Sequence, residues 1–556
     1  MTDYDVVIVG AGPVGMTAAL DLAQRGVRVA IIEKRDISTP ADARCNSISS
    51  RTMEIFRELE FSEEIRASGL PDEYPTDVTY ATSFLDKPFA RIRLPSRTER
   101  YGQTGRSASG FPDSHWLTPE PVVRLSQMYL EPVLQRKVQE CEYIKSFWAC
   151  EATQVIDNGD SVTVHAQFDA SEALHLNAAY VIGTDGAGSI VRKSLGFQFE
   201  GDADLGRTRS TLIRTTELHD KINFRPPWMA WTLSQEGTGT VIAIDGNELW
   251  LVHCALPHRV KDFSDLDLDL GIRRVLGVGP DFTYEIVQQK DWTARRLVSN
   301  KFRKGRVFIA GDAAHVWIPA AGYGMNAGIA DVTNLTWMLA GAINEWADES
   351  LLDAHELERH PITEQVSRFA MAKALENVEM ARGREIPRVL VSKSPFGWLR
   401  RKLLGRRLNA MNTPQFACEG LNFGYYYDHS PVIHYDDEQP PSYDMGSATP
   451  SSVPGCRAPH FWLPDGSSLY DRMGKDFTLM TFSDDNCSPF MSEALHRNIP
   501  ITHIALPRPP LTCYKHDCYI VRPDRHIAWR GNSLPENPGM VLDMLVGGSN
   551  VSTPPS

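Results

Sequence analysis

Residues 307–328 read VFIAGDAAHVWIPAAGYGMNAG. Val307–Ala310 is a short apolar strand, Asp312 stands at its end, and a glycine-rich turn leads into a helix. Ligands collect at the carboxyl ends of parallel strands. Beyond the turn, Leu335, Met338, Leu339, Ala342, Ile343 and Trp346 recur at helical spacing. The helix start near Met325 and Asn326 offers backbone N–H groups and a positive dipole end to a negative centre.

The chain opens on a turn of the same kind, in YDVVIVGAGPVGMTAALDLAQRGVRVAIIEKRD. Val6–Val9 is a continuous apolar run, as in a strand buried on both faces. Gly10, Gly12 and Gly15 then give GxGxxG, with Pro13 in the turn. The first glycine permits the turn, the second leaves room for a pyrophosphate, and the third lets the helix pack close to the strand. Gly26 stops that helix and VRVAII follows as the next parallel strand. Glu33 ends it, with Lys34 beside it, about 20 residues beyond the glycines. Its carboxylate is placed to accept hydrogen bonds from a ribose and disfavours a 2′-phosphate. NAD or the ADP half of FAD remains.

The second turn separates these two. An FAD stretched across one domain needs one helix start for its pyrophosphate. It needs another for its ribityl chain and the N1–C2=O2 edge of the flavin, which is negative when reduced. NAD makes no such second demand. The expected FAD site therefore takes Asp312 and the turn residues Pro319, Gly322, Gly324, Met325 and Asn326. Between the turns, YVIGTDGAGSIVRKSLG gives a strand, the Asp185–Gly186 turn, and a helix opening at about Ser189 with Arg192 in its first turn.

Together, GxGxxG, the DG turn and the GD turn resemble the class A flavoprotein monooxygenases, the p-hydroxybenzoate hydroxylase superfamily. The resemblance is nearest to the phenol-hydroxylase-like branch. ARCNSISSRTMEIFRELE resembles that branch's segment after the second strand, whose Arg, here Arg44, lies near the flavin and phosphates. VRLSQMYLEPVL resembles its FAD-contacting helix, and the Gln maps to Gln127 with Arg124 one turn earlier. GYGMNAGIADVTNLTWMLA matches the flavin-proximal helix, departing at Met338 where a Lys is common. PGCRAPHFWLPDGSSLYDRMGKDFTLM and CYIVRPDRHIAWRG resemble the branch's thioredoxin-like appendix, here without CxxC, read as a packing or dimerisation module. The resemblance implies non-covalent FAD, NADH or NADPH as co-substrate, O₂, and hydroxylation of a phenolic ring through a flavin C4a-hydroperoxide. A Baeyer–Villiger or epoxidising monooxygenase, or a non-catalytic FAD-binding protein, is the alternative on the same fold. FGWLRR at 396–401 is not the GWxWxIP motif of flavin halogenases.

The expected fold class is α/β. A discontinuous Rossmann-like FAD-binding domain would occupy residues 1–185 and 301–345, with a mainly antiparallel substrate domain inserted at 186–300. A helical segment at 346–435, a linker at 436–455 and a thioredoxin-like domain at 456–556 would follow. Net charge is −13, which argues against a nucleic-acid surface. No run of about 18 apolar residues appears, so no membrane span is expected. MTDYDVVIVG lacks the plan of a targeting segment. The nine cysteines are scattered, which suits a reducing cytoplasm. The 16 histidines show no HExxH, so no metal site is expected. A small aromatic molecule is the expected partner, with a homodimer left open. No catalytic base can be named. His253, Trp231, Trp228 and Trp250 stand on a strand-rich stretch that can wall a pocket, and His115 and Arg106 lie in a long irregular segment able to cover one.

Overall fold

The computed structural model describes residues 2–101, 110–168, 172–202, 206–234, 237–255, 263–265, 267–317, 322–382, 392, 394–483 and 486–548. Pro319 and Arg106 lie outside them.

The run Val6–Val9 forms the middle of a parallel sheet. Tyr4–Val9 lies between Val29–Ile32 and Glu172–Gly183, parallel to both. Ile144–Phe147 extends one edge, and Val307–Ile309 pairs parallel with Glu172–Gly183 on the other. Side chains alternate across a strand. Val6 and Ile8 pack with Met16 and Leu22 of the first helix, Pro13–Gln24. Val7 and Val9 pack on the opposite face with Cys150, Val155 and Val164. Both faces of the strand are thus covered, which is why the run is unbroken rather than alternating. Strands Tyr4–Val9 and Val307–Ile309 are brought into one sheet by the chain returning to it after an inserted sheet.

That inserted sheet has the strand order Glu285–Thr293, Arg207–Arg214, Leu249–Ala255, Gly237–Ala243, Met229–Ser234, Val78–Ala81, Ala90–Ile92. It is antiparallel except where Val78–Ala81 runs parallel to Met229–Ser234. The last two strands come from residues that the sequence reading placed in the nucleotide part. They are too short to carry a periodic signal. Buried Asp77 fixes them: its carboxylate accepts the Leu94 N–H at 3.0 Å and pairs with Arg91 at 2.6 Å and Arg225 at 3.1 Å.

Helices Asp353–Arg382 and Pro395–Phe416 follow. Residues 436–455 hold no helix or strand, yet they do not hang free. Met445 is buried with Tyr323 and Tyr425, and its carbonyl accepts the Leu421 N–H at 3.1 Å. In the C-terminal domain Phe477–Thr481 pairs parallel with Ile501–Ala505 and antiparallel with Cys518–Val521, which pairs with Ile527–Gly531. This is a thioredoxin-like sheet. Its core continues into the nucleotide domain, where Phe477 meets Trp337 edge-on at 5.5 Å. Among the described residues no helix is long and apolar enough to cross a membrane.

Candidate active site

The three glycines of the first turn meet different surroundings. Gly10 has φ +107°, and a Cβ there would lie 2.6 Å from the Thr184 carbonyl oxygen. A Cβ on Gly15 would lie 2.0 Å from the Gly10 carbonyl oxygen. Around Gly12 nothing lies within 4 Å of that position. The crowded glycines serve the fold and the open one leaves room beside the start of helix Pro13–Gln24. No side chain caps that start, so its N–H groups can serve an anion.

Glu33 sits at the adjoining strand end, nearly buried. Its Oε2 accepts the Ala11 N–H at 2.8 Å, and its Oε1 accepts the Arg35 N–H at 2.9 Å. Arg35 also pairs with Glu131 at 3.2 Å, and Gln127 donates to Glu131. Glu33 therefore ties the turn to its own strand. Arg35 and Glu131 were missed by the sequence reading. The one sequence signal for them is the four-residue spacing of Gln127 and Glu131 on helix Gln127–Glu140. Lys34 is exposed beside them.

Asp185 follows strand Glu172–Gly183 and caps the short helix Ile190–Ser194. It accepts Ser189 Oγ–H at 2.5 Å and the Ile190 N–H at 2.6 Å. Burial raises its carboxyl above the ordinary value against these bonds. Arg192 then reaches across to the second turn, donating to the Ala313 carbonyl at 3.2 Å.

The second turn lies against the first. Gly311 has φ +58°. A Cβ on Gly328 would lie 2.7 Å from Val14 Cγ2 and 2.8 Å from Gly311 Cα. Only a bare backbone lets helices Pro13–Gln24 and Gly324–Ile343 approach the GD turn together. Asp312 is exposed at this junction. Helix Gly324–Ile343 also starts without a side-chain cap, and the Cβ position of Gly324 faces open space. Met325 beside it is half-buried.

Asn326 spends its side chain on the protein. Its Oδ1 accepts the Ser49 N–H at 2.9 Å and Thr52 Oγ1–H at 2.8 Å, while Nδ2 donates to the Ser47 and Gly322 carbonyls at 3.0 and 2.8 Å. It clamps the segment after the second strand around the helix start. Arg124 holds the same segment, donating to Ser47 Oγ at 2.6 Å and to the Phe416 carbonyl at 2.8 Å. Its guanidinium lies 4.5 Å from the Trp228 ring centre. Burial pushes it down to about 10. Arg44 is exposed and pairs with Asp42 at 2.9 Å. Asp42 also receives Lys290 at 2.5 Å, and Gln288 Oε1 accepts the Ala43 N–H at 3.0 Å.

Lys290 and Gln288 project from the inserted sheet, so one of its faces looks onto segment 42–44. Direct cross-strand partners share a face. The register Trp231↔Thr240, Thr240↔His253, His253↔Ser210 and Ser210↔Lys290 therefore sets one row on that face, with Trp231, His253 and Ser210 half-buried, Thr240 buried and Lys290 exposed. Trp250 lies on the other face, fully buried and edge-on to Phe84 at 5.4 Å. His115 stands apart from this row, exposed, with Nε2 3.3 Å from Glu419.

Two open glycine positions at two uncapped helix starts, with an exposed acid between them, fit an extended dinucleotide with a second electron-rich end, as FAD is. Comparison with known proteins agrees. The FAD binding domain family matches residues 3–370, and the aromatic-ring hydroxylase C-terminal family matches residues 451–547. A 2,4-dichlorophenol 6-monooxygenase of Cupriavidus pinatubonensis is 29% identical over 96% of this chain and 94% of its own. A phenol 2-monooxygenase of a Pseudomonas species is 27% identical over 100% and 94%. The rebeccamycin biosynthetic enzyme RebC with reduced flavin superposes with a TM-score of 0.85 at 28% identity, over 98% of this chain and 99% of that one. The chain belongs to the FAD-binding aromatic-ring hydroxylases, and it is an FAD-dependent aromatic monooxygenase that uses NAD(P)H and O₂.

Proposed function

We propose that the chain hydroxylates an aromatic ring bearing a phenolic oxygen, held between the helix start at Gly324 and the sheet face around Trp231 and His253. One observation carries this reading. The single segment 42–52 touches both sides, through Ala43 and Asp42 to Gln288 and Lys290 and through Ser49 and Thr52 to Asn326. The names of the phenol and dichlorophenol monooxygenases among its relatives support a phenolic ring.

FAD, when bound, supplies the electron transfer and oxygen activation. The pyrophosphate would rest at Gly12 and Pro13, the ribose toward Glu33, the ribityl chain at Asp312, and the ring system at Gly324–Asn326. The uncapped start of helix Gly324–Ile343 would present N–H groups to the negative charge of a reduced flavin and hold it without reorganisation. Trp231 gives a flat apolar wall that excludes water, and exclusion of water protects a reactive oxygen donor. Arg124, stacked on Trp228, ties the inserted sheet to the segment at Ser47.

The test is oxygen transfer. The purified chain should be yellow, a phenol should accelerate its NAD(P)H oxidation, and the product should carry one atom from ¹⁸O₂ on the ring. A yellow protein whose NAD(P)H oxidation no phenol accelerates overturns the proposal. An ester or epoxide product would reassign the chemistry to insertion or epoxidation on the same site.

A further inference from the structure

We infer that His253 is a fixed hydrogen-bond donor to the substrate's oxygen, its proton held on Nε2 by Ser210 and Trp292. This rests on the reading of the sheet face as the aromatic site.

The hydrogen bonds run one way. Trp292 Nε1–H can only donate, and it lies 2.9 Å from Ser210 Oγ. Ser210 Oγ accepts that bond and keeps one proton of its own. His253 Nδ1 lies 2.7 Å from the same oxygen. A proton on Nδ1 would make the serine oxygen accept twice and leave its own O–H with no acceptor among these groups. A bare Nδ1 satisfies all three groups, and buried polar groups are satisfied. The neutral ring then carries its proton on Nε2. Burial pushes His253 down to about 4, so it stays neutral near pH 7. Trp292 also stands perpendicular to the imidazole, at 6.4 Å between centres, which limits how the ring can turn.

The position suits a substrate contact. The neighbouring row on the same face, Leu212, Leu251 and Ile242, is buried, whereas His253 and Ser210 are half-buried. Trp231 stands two strands away on the row, and its Nε1 has no partner among the described residues. A neutral donor is not a general base. It favours the phenolate over the phenol, and it rejects a ring without oxygen because Nε2–H would then be left unpaired in a dry site.

The experiment uses holoenzyme with 2-naphthol and naphthalene, and reads dissociation constants from the flavin absorbance. The absorbance of bound 2-naphthol reports its own ionisation. His253→Leu should weaken 2-naphthol by about tenfold, as for one lost hydrogen bond, leave naphthalene almost unchanged, and raise the pKa of bound 2-naphthol. His253→Gln should recover most of the loss, since its amide can accept from Ser210 and donate to the ligand. Ser210→Ala should give an intermediate loss by releasing the tautomer. Equal 2-naphthol affinity in the parent and His253→Leu overturns the inference, as does a His253→Gln no better than His253→Leu. If the parent binds neither compound, the sheet face is not the aromatic site and the proposed function falls with the inference.

Discussion

Gly12 and Gly15 stand three residues apart in one turn, yet a methyl group would mean opposite things at each. At Gly12 the backbone, φ −73° and ψ 176°, is open to any residue, and no protein atom lies within 4 Å of an added Cβ. Gly12→Ala should therefore leave the apoprotein as stable as the parent, or slightly more so, while FAD retention falls. At Gly15 the same methyl would press on the Gly10 carbonyl at 2.0 Å. Gly15→Ala should cost about 1–3 kcal/mol of stability even without flavin. Urea unfolding of both apoproteins, beside flavin titration, separates the two. A Gly12→Ala variant that keeps normal flavin affinity would place the pyrophosphate elsewhere. Asp312 makes a matching case, because it is exposed at the end of its strand and its loss should not unsettle the fold. Asp312→Ala should weaken FAD by about 1.5–3 kcal/mol, the worth of a hydrogen bond to a charged acceptor. Glu33 is less clean than its position in the sequence implies. Since it also holds the Ala11 and Arg35 N–H groups, Glu33→Ala should loosen the turn as well as the ribose end.

Helix Gly324–Ile343 is held from behind by ionised and neutral groups that its sequence only hints at. Asp331 is fully buried, 2.6 Å from His315 and 3.0 Å from Arg359, and accepts the Gly311 N–H at 3.3 Å. Burial alone would raise its carboxyl. His315 and Arg359 instead hold it well below the usual carboxylate range. One turn on, Asn334 Oδ1 meets His355 Nδ1 at 2.8 Å. Burial pushes His355 down to about 3. A histidine kept neutral in the fold takes a proton more readily when unfolded. Its contribution is full above the unfolded value of about 6.5 and is lost as pH falls toward the folded one. Stability should thus drop between about pH 6.5 and pH 4, by up to about 1.4 kcal/mol per pH unit for each such histidine. His355→Gln should flatten that acid limb in urea unfolding at pH 5 and pH 7.5. An unchanged slope would mean that His355 is not a group that protonates on unfolding. The contrast explains what could be read in advance. The glycines of each turn and the acid that ends each strand stand within a few residues of one another, so GxGxxG, the GD turn and the helix periodicity were legible, although Gly10 and Gly328 also answer distant contacts with Thr184 and Val14. Asn326 to Ser49, Gln288 to Ala43 and Lys290 to Asp42 join residues about 250 positions apart, and no local spacing encodes them. The row that places His253 beside Ser210 is fixed by strand register, which one sequence does not reveal.

Across the whole molecule the same polar chain continues into the C-terminal domain. Asn334 Nδ2 donates to Glu358 Oε2 at 2.6 Å, and Glu358 receives Arg522 Nη2 at 2.8 Å. Arg522 also grips Asp524, whose carbonyl accepts from Arg51 in the segment that wraps the start of helix Gly324–Ile343. Arg522 and Glu358 are fully buried. The absence of CxxC left the C-terminal domain with only a packing or dimerisation reading, and this network assigns it a definite one. It closes the back of the flavin domain with a buried charge pair, while Phe477 fills the apolar seam against Trp337 and Trp346. A buried pair is weak evidence of net stability, but removing one member leaves an uncompensated charge and costs about 3–5 kcal/mol. Arg522→Met should therefore destabilise the flavin domain together with its own. Thermal unfolding followed by flavin release and by tryptophan fluorescence should show one coincident transition at lower temperature. Adding Glu358→Met should recover part of the loss, because one of the two stranded carboxylates goes with it while Asp524 remains. Two separate transitions, with flavin retained through the first, would show that the C-terminal domain is an independent passenger and that the chain from Asn334 to Arg522 does not couple it to the site.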